Sequence, residues 1–200
     1  MKADGLSANS TSTGILRTLA RELCRCALIS GVAVSVNAET VPSARVRSLK
    51  EIREQAVVMQ RWETSCAAAA LATLLTYGFD DPVSERHAAA KMLEGTEPAK
   101  VKARGGFSLL DMKRFVEARG YSGEAYQHLS LEDLKVFRAP IVPISVHGSN
   151  HYVVLNAIDH DEVRLADPAF GNRSMSLAQF SQAWLNGLAF VVTPKPGTSS

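Results

Sequence analysis

Four residues could together carry out acyl-transfer chemistry. Gln60 stands six residues before Cys66, His151 opens the apolar segment HYVVLNAI, and Asp167 lies in LADPAFG. A thiolate attacks carbonyl carbon, an imidazole moves the proton, and a carboxylate holds the imidazole in the useful tautomer. An amide N–H ahead of the nucleophile can stabilise the oxyanion that forms. The set predicts a catalytic triad, Cys66, His151 and Asp167, with Gln60 as the oxyanion donor.

The first 38 residues are typical of an export signal. Arg17, Arg21 and Arg25 precede an apolar run at residues 26–36, and Val-Asn-Ala at 36–38 offers small residues for cleavage. The run is too short to span a bilayer of about 30 Å as a helix. We expect residues 1–38 to be a signal peptide and the mature chain to be periplasmic or secreted, without a stable membrane span. An uncleaved anchor and an ordinary buried helix are the alternatives.

Signal cleavage would leave Cys66 as the one cysteine, because Cys24 and Cys26 fall within the signal. The mature chain could then form no internal disulfide. A single thiol in an oxidising compartment is a liability unless it is used or buried. Inert burial is the alternative to catalysis.

We place the domain at residues 56–194, between a linker or short helix at 39–55 and a disordered tail at 195–200. Helices are predicted in its first half. The central helix covers residues 65–77, so that Cys66 lies on its first turn, where unpaired N–H groups and the helix dipole favour a thiolate. Further helices are expected at 84–93, 108–119 and 131–137. Residues 95–106 form either a mobile basic flap or an ordinary solvated loop.

Strands are predicted in the second half. Apolar or alternating runs at residues 140–148, 151–159 and 162–169 are separated by turn signals, and a helix at 177–185 and a strand at 188–193 follow. This order predicts an α+β fold with a C-terminal antiparallel sheet. Alternation places His151 on one face of its strand with Val153 and Leu155, and we expect that face to pack on the central helix.

Metal and nucleic-acid functions are disfavoured. The chain is 46% hydrophobic and 21% charged, and its net charge of +2 comes from the first 38 residues, so the domain lacks a basic stripe. His147 and His151 are four apart, but glycine, serine and asparagine between them oppose the helix that such a metal pair needs. The remaining histidines have no matching partner in the sequence: His87, His128 and His160. The carboxylates that compete with Asp167 are typical of a solvated hairpin tip: Asp159, Asp161 and Glu162. We expect no cofactor and no metal.

On these motifs the chain resembles the C39 peptidases, papain-like cysteine proteases that cut leader peptides from bacteriocins, over residues 56–193. Gln60, Cys66, His151 and Asp167 match the family's oxyanion glutamine, nucleophile, base and orienting acid. The segment GGFSLLDMKRFVEARGY is similar to a family helix that packs beside the cleft. Two positions depart from the pattern: Ala67 replaces the usual glycine after the cysteine, and Ser65 replaces the usual aspartate before it.

The resemblance implies a papain-like fold and a peptide or protein substrate. No phosphate-binding loop motif is present, so we expect a free-standing peptidase similar to the periplasmic C39-like proteins that accompany secretion of functional amyloid or surface proteins. A secretion system is then the expected partner. Two other functions stay open: a C39-like module that binds its substrate without cutting it, and a transglutaminase or amidase, which also uses Cys, His and Asp in this order.

Overall fold

The computed structural model describes residues 46–195, and the predicted signal peptide lies outside them. This part of the chain contains seven α-helices and six strands. The helices are α1 Leu49–Arg53, α2 Cys66–Thr73, α3 Glu85–Glu94, α4 Pro98–Arg104, α5 Leu109–Ala118, α6 Leu131–Leu134 and α7 Leu177–Ala183. The strands are β1 Tyr121–Tyr126, β2 Ile141–Val146, β3 Ser149–Ile158, β4 Glu162–Asp167, β5 Gly171–Ser176 and β6 Ala189–Pro194.

Helix α2 is the buried centre of the helical half. All eight of its residues, CAAAALAT, are buried, and it packs against α3 and β3. Alanine side chains let neighbouring elements approach the helix axis closely without voids. The helix continues into a π-helical turn at Leu74–Gly78, so the predicted helix at 65–77 is confirmed in position, though not in regular α geometry at its end.

Within residues 46–195, five helices have a serine N-cap whose side chain caps the first turn. Each hydroxyl accepts a hydrogen bond from a backbone N–H of the first turn, at Ser48, Ser84, Ser108, Ser130 and Ser176. At Ser108 the Asp111 carboxylate also accepts from the serine N–H, which completes a capping box. These caps explain why helix starts could be predicted to within a residue.

The strands form one antiparallel sheet in the order β1-β6-β2-β3-β4-β5. The hairpin between β2 and β3 turns through His147 and Gly148, both with positive φ, as a two-residue turn of this kind requires. The helix-rich first half and the antiparallel sheet give the predicted α+β class.

Both faces of the sheet are covered, and this overturns one expectation. Val153 and Leu155 pack in the cluster that contains Phe180 of α7 and Leu134 of α6, not on α2. Val154 instead lies in the cluster formed with α2. The expectation was wrong because alternation separates the two faces of a strand but cannot say which one a helix covers when both are apolar.

Three further elements differ from the prediction. Residues 98–104 are helical, with Pro98 in the first turn and Val101 buried, so neither the mobile flap nor the solvated loop is correct there. Strands β1 and β5 were not predicted, since YSGEAY and GNRSMS lack a continuous apolar alternation. Both edge positions are occupied by these strands, where half-exposed polar sequences are tolerated. Within residues 46–195 no helix is long and apolar enough to cross a bilayer.

Candidate active site

Cys66 is the first residue of α2 and is 4% exposed. Ser65 occupies the N-cap position, yet within the described residues its hydroxyl makes no capping bond to the first turn. The N–H groups of that turn are therefore not engaged by a side-chain cap, and they surround the thiol with positive partial charge.

His151 lies near the start of β3 and joins the other two predicted triad members. Its Nε2 hydrogen-bonds Oδ1 of Asp167 at 2.7 Å, and Cys66 is near enough to raise the pKa of the imidazole. Because Asp167 occupies Nε2, the Nδ1 atom remains for the sulfur. The sheet makes this possible by placing the ends of β3 and β4 next to each other, so that residues 16 positions apart in sequence meet.

The electrostatic surroundings favour a protonated imidazole. Burial alone would lower the pKa of His151, but the hydrogen bonds and charges of Asp167 and Cys66 raise it to about 9. Burial would likewise raise the pKa of the Asp167 carboxyl, yet the bonds and charge of His151, the backbone N–H of Ala169 and the charge of Arg173 lower it. His151 is thus held as an imidazolium, with the ionised Asp167 carboxylate behind it.

Arg173 on β5 is a site residue that the sequence analysis missed. Its Nε donates to Oδ2 of Asp167 at 2.7 Å, and its guanidinium lies 5.3 Å from the centre of the Phe170 ring. Asp167 is fully buried, and the backbone N–H of Ala169 donates to its other oxygen at 2.8 Å. The pairing of β5 with β4 would have placed Arg173 near Asp167, but β5 itself was not predicted.

Gln60 is held at the edge of the same site by two bonds. Its backbone N–H donates to the carbonyl of Pro168 at 2.8 Å, which ties it to the turn after Asp167. Its side-chain Nε2 donates to the carbonyl of Trp62 at 3.2 Å, and Oε1 is buried without a hydrogen-bond partner in the described part of the chain. One N–H of the amide is therefore anchored, and the other remains available as a donor.

A groove of about 730 Å³ lies against the segment between Gln60 and Cys66. The apolar residues that line it include Ala89 and the buried Val101 and Phe107, and Trp62, which also lines it, is half exposed. Three basic side chains also line it: Arg61, Arg86 and Lys102.

The remaining histidines and carboxylates do not join this centre. The other four histidines are exposed: His87, His128, His147 and His160. Asp159 forms an exposed ion pair with Arg164. In residues 46–195 no group of three or more metal-ligating side chains comes together.

A thiol near an imidazole that is hydrogen-bonded to a carboxylate is the kind of site found in cysteine hydrolases and acyl transferases. The model of the peptidase C39 family matches residues 54–197. Because this match covers most of the sequence, the chain belongs to the peptidase C39 family, which confirms the resemblance noted above.

Two relatives share substantial sequence identity. The "Probable functional amyloid protease FapD" of Pseudomonas aeruginosa is 40% identical over 153 residues, which cover 74% of this chain and 65% of that protein. The protein of the same name from Pseudomonas fluorescens is 35% identical over 149 residues, with coverage of 74% and 65%. The match thus spans about 65% of the length of these relatives.

Solved C39 domains share the fold. A double glycine motif protease from an AMS/PCAT transporter, crystallised with its leader peptide, has a TM-score of 0.56 at 23% identity and is covered over 90% of its length, against 69% of this chain. The peptidase domain of Streptococcus ComA has a TM-score of 0.58 at 18% identity, with coverage of 98% and 70%. These likenesses confirm the predicted α+β, papain-like fold.

Proposed function

We propose that this protein is a cysteine peptidase that hydrolyses a peptide bond in a secreted or leader-bearing protein. The observation that carries the proposal is that His151 is hydrogen-bonded to Asp167 and lies close enough to Cys66 for that residue to raise the pKa of the imidazole. The two FapD relatives carry the name functional amyloid protease, so a secreted amyloid protein is the substrate class we favour. We further infer that residues 1–38 direct export to the periplasm.

The reaction begins when the Cys66 thiolate attacks the carbonyl carbon of the scissile peptide bond. A C–S bond forms, and the carbonyl electron pair moves to oxygen. The free N–H of Gln60 and a backbone N–H at the start of α2 stabilise that oxyanion. The His151 imidazolium then gives its proton to the departing amine as the C–N bond breaks.

Hydrolysis of the resulting thioester completes the cycle. The neutral His151 takes a proton from a water molecule as the water oxygen attacks the acyl carbon, and the C–S bond then breaks, which releases the acid and the Cys66 thiolate. Asp167 keeps Nε2 protonated throughout, and Arg173 keeps Asp167 ionised. The proton taken from water stays on His151, so the imidazolium is regenerated together with the thiolate.

The proposal is tested with a mixed peptide library and mass-spectrometric identification of new termini, comparing wild type with Cys66→Ala. We expect cleavage only by wild type, and Gln60→Ala should reduce turnover by about 10²-fold. Cleavage that persists in Cys66→Ala would disprove the assignment. Binding of intact peptide without cleavage would favour a non-catalytic module, and a new isopeptide bond or released ammonia would favour a transglutaminase or amidase.

A further inference from the structure

A buried carboxylate outside the triad holds both ends of the segment between Gln60 and Cys66. Glu85 is the first residue of α3 and is 4% exposed. Its Oε1 accepts a hydrogen bond from the backbone N–H of Arg61 at 2.7 Å and lies 2.5 Å from the Ser65 hydroxyl. One oxygen atom thus joins the first and last residues of the five-residue segment 61–65.

The hydroxyl of Ser65 is directed to this carboxylate and not to the first turn of α2. It carries one proton and also lies 2.8 Å from the carbonyl oxygen of Trp62, but the carboxylate is the stronger acceptor. A serine at an N-cap ordinarily accepts from the N–H two or three residues later. Here the interaction with Glu85 leaves those N–H groups uncapped beside Cys66.

The same segment orients the Gln60 amide, because its Nε2 donates to the carbonyl of Trp62. The segment therefore fixes both groups that we assign to the oxyanion: the Gln60 amide at one end and the N–H groups around Cys66 at the other. Within residues 46–195 the hydrogen-bond partners of the Glu85 side chain are Arg61 and Ser65, not Gln60 or Cys66.

We propose that Glu85 is a positioning residue that sets the geometry of the oxyanion donors through Arg61 and Ser65, without taking part in thiolate formation. This inference rests on the proposed function. Burying a carboxylate is costly unless it is well hydrogen-bonded, and a shift of about 1 Å in a reacting group can cost about 10²-fold in rate. Loss of the Glu85 hydrogen bonds to residues 61–65 should therefore impair oxyanion stabilisation, while the arrangement of Cys66, His151 and Asp167 is unchanged.

Two small reagents separate these effects without a peptide substrate. Iodoacetamide alkylates a thiolate by displacing iodide, with no oxyanion. With p-nitrophenyl acetate, the thiolate attacks the acetyl carbonyl, an oxyanion forms, and its collapse breaks the C–O bond and expels p-nitrophenolate. The ratio of the acylation rate to the alkylation rate therefore reports oxyanion stabilisation alone.

We would measure this ratio for Glu85→Gln and Ser65→Ala, with Gln60→Ala as the reference and Glu94→Gln as the control. Glu94 is an exposed carboxylate at the other end of α3 and does not line the groove. We expect both test variants to acylate about tenfold more slowly and to alkylate at the wild-type rate, while Glu94→Gln changes neither. Gln60→Ala should lower acylation further, by about 10²-fold.

An unchanged ratio in Glu85→Gln and Ser65→Ala would overturn the positioning role. Equal loss of acylation and alkylation would also overturn it, since Glu85 would then support the fold as a whole. A protein that cleaves no peptide but shows the expected ratios would disprove the peptidase proposal and keep the role of Glu85.

Discussion

At the scale of single residues, the charge on His151 decides whether the site can work. Asp167 and Cys66 raise the pKa of His151 to about 9, against about 6.5 for an unperturbed histidine. Imidazolium is thus the main form at neutral pH, which is the form needed to protonate the leaving amine. The raised pKa also means that folding stability from this group is complete below pH 6.5 and is lost as pH rises through about 9.

The substitution Asp167→Asn should lower the pKa of His151 toward 6.5, because it removes both the carboxylate charge and the strongest partner of Nε2. Titration of the imidazole C–H signals by NMR would measure this directly. Circular dichroism of the variant serves as the control for folding. A His151 pKa near 6.5 in the wild type, or the same His151 pKa in both proteins, would contradict the role given to Asp167.

The substitution Arg173→Gln should cost about 2 kcal/mol of unfolding free energy at pH 7, since a buried charge-assisted bond is lost. Asp167 has a lowered pKa in the folded state, so its stabilisation is present above the unfolded carboxyl pKa and lost as pH falls through the folded one. The difference between variant and wild type should therefore shrink in acid. Thermal melts from pH 3 to 7 would test this.

Arg164→Gln is the matched control, because Arg164 pairs with Asp159 where both are more than half exposed. Arg164→Gln should lower the free energy of unfolding much less than Arg173→Gln does. A cost for Arg173→Gln that does not change with pH would mean that Arg173 acts by packing and not by charge.

At the scale of elements, helix α2 does two things: it fills the core and presents Cys66. Its alanines leave no space for larger side chains, since Ala70 is fully buried between other elements. The Ala-rich sequence and the flanking Ser65 and Gly78 made α2 predictable. The serine caps made the starts of α3 and α5 predictable in the same way. Strands β1 and β5 and helix α4 could not be predicted, because tertiary pairing and one buried residue, Val101, decide their structure.

Ala70→Leu should destabilise the domain by about 1–3 kcal/mol through overpacking. Ala103→Leu on α4 is the control, because Ala103 is exposed and leucine is a good helix former. Urea unfolding of the two variants would compare them. Equal stability would show that α2 is less tightly enclosed than its buried surface indicates.

At the scale of the whole molecule, the sheet and the helical half meet around the triad. The order and spacing of Cys66, His151 and Asp167 predicted a triad, and His151 and Asp167 are hydrogen-bonded in the structure. The same sequence could not reveal Arg173 or Glu85, because one depends on the pairing of an unpredicted strand and the other on packing of α3 against residues 61–65. Polar residues that act through others leave no spacing signal.

The groove beside residues 61–65 should contribute to substrate binding. Trp62→Ala should raise KM for a cleaved peptide severalfold and leave kcat nearly unchanged, because Trp62 lines the groove but bonds to no triad member. Tyr77→Ala is the control, since Tyr77 is similarly exposed and lies outside this groove. A fall in kcat at constant KM would place Trp62 in the chemistry instead.

The most direct test of the central claim is the rate of Cys66 alkylation by iodoacetamide from pH 5 to 10, in wild type and His151→Ala. A free thiol, with a pKa of about 8.5, is almost entirely protonated at pH 6. We predict rapid alkylation of wild type at pH 6 and a loss of that reactivity in His151→Ala. Slow alkylation at pH 6 that does not depend on His151 would contradict the thiolate–imidazolium pair and, with it, the proposed peptidase.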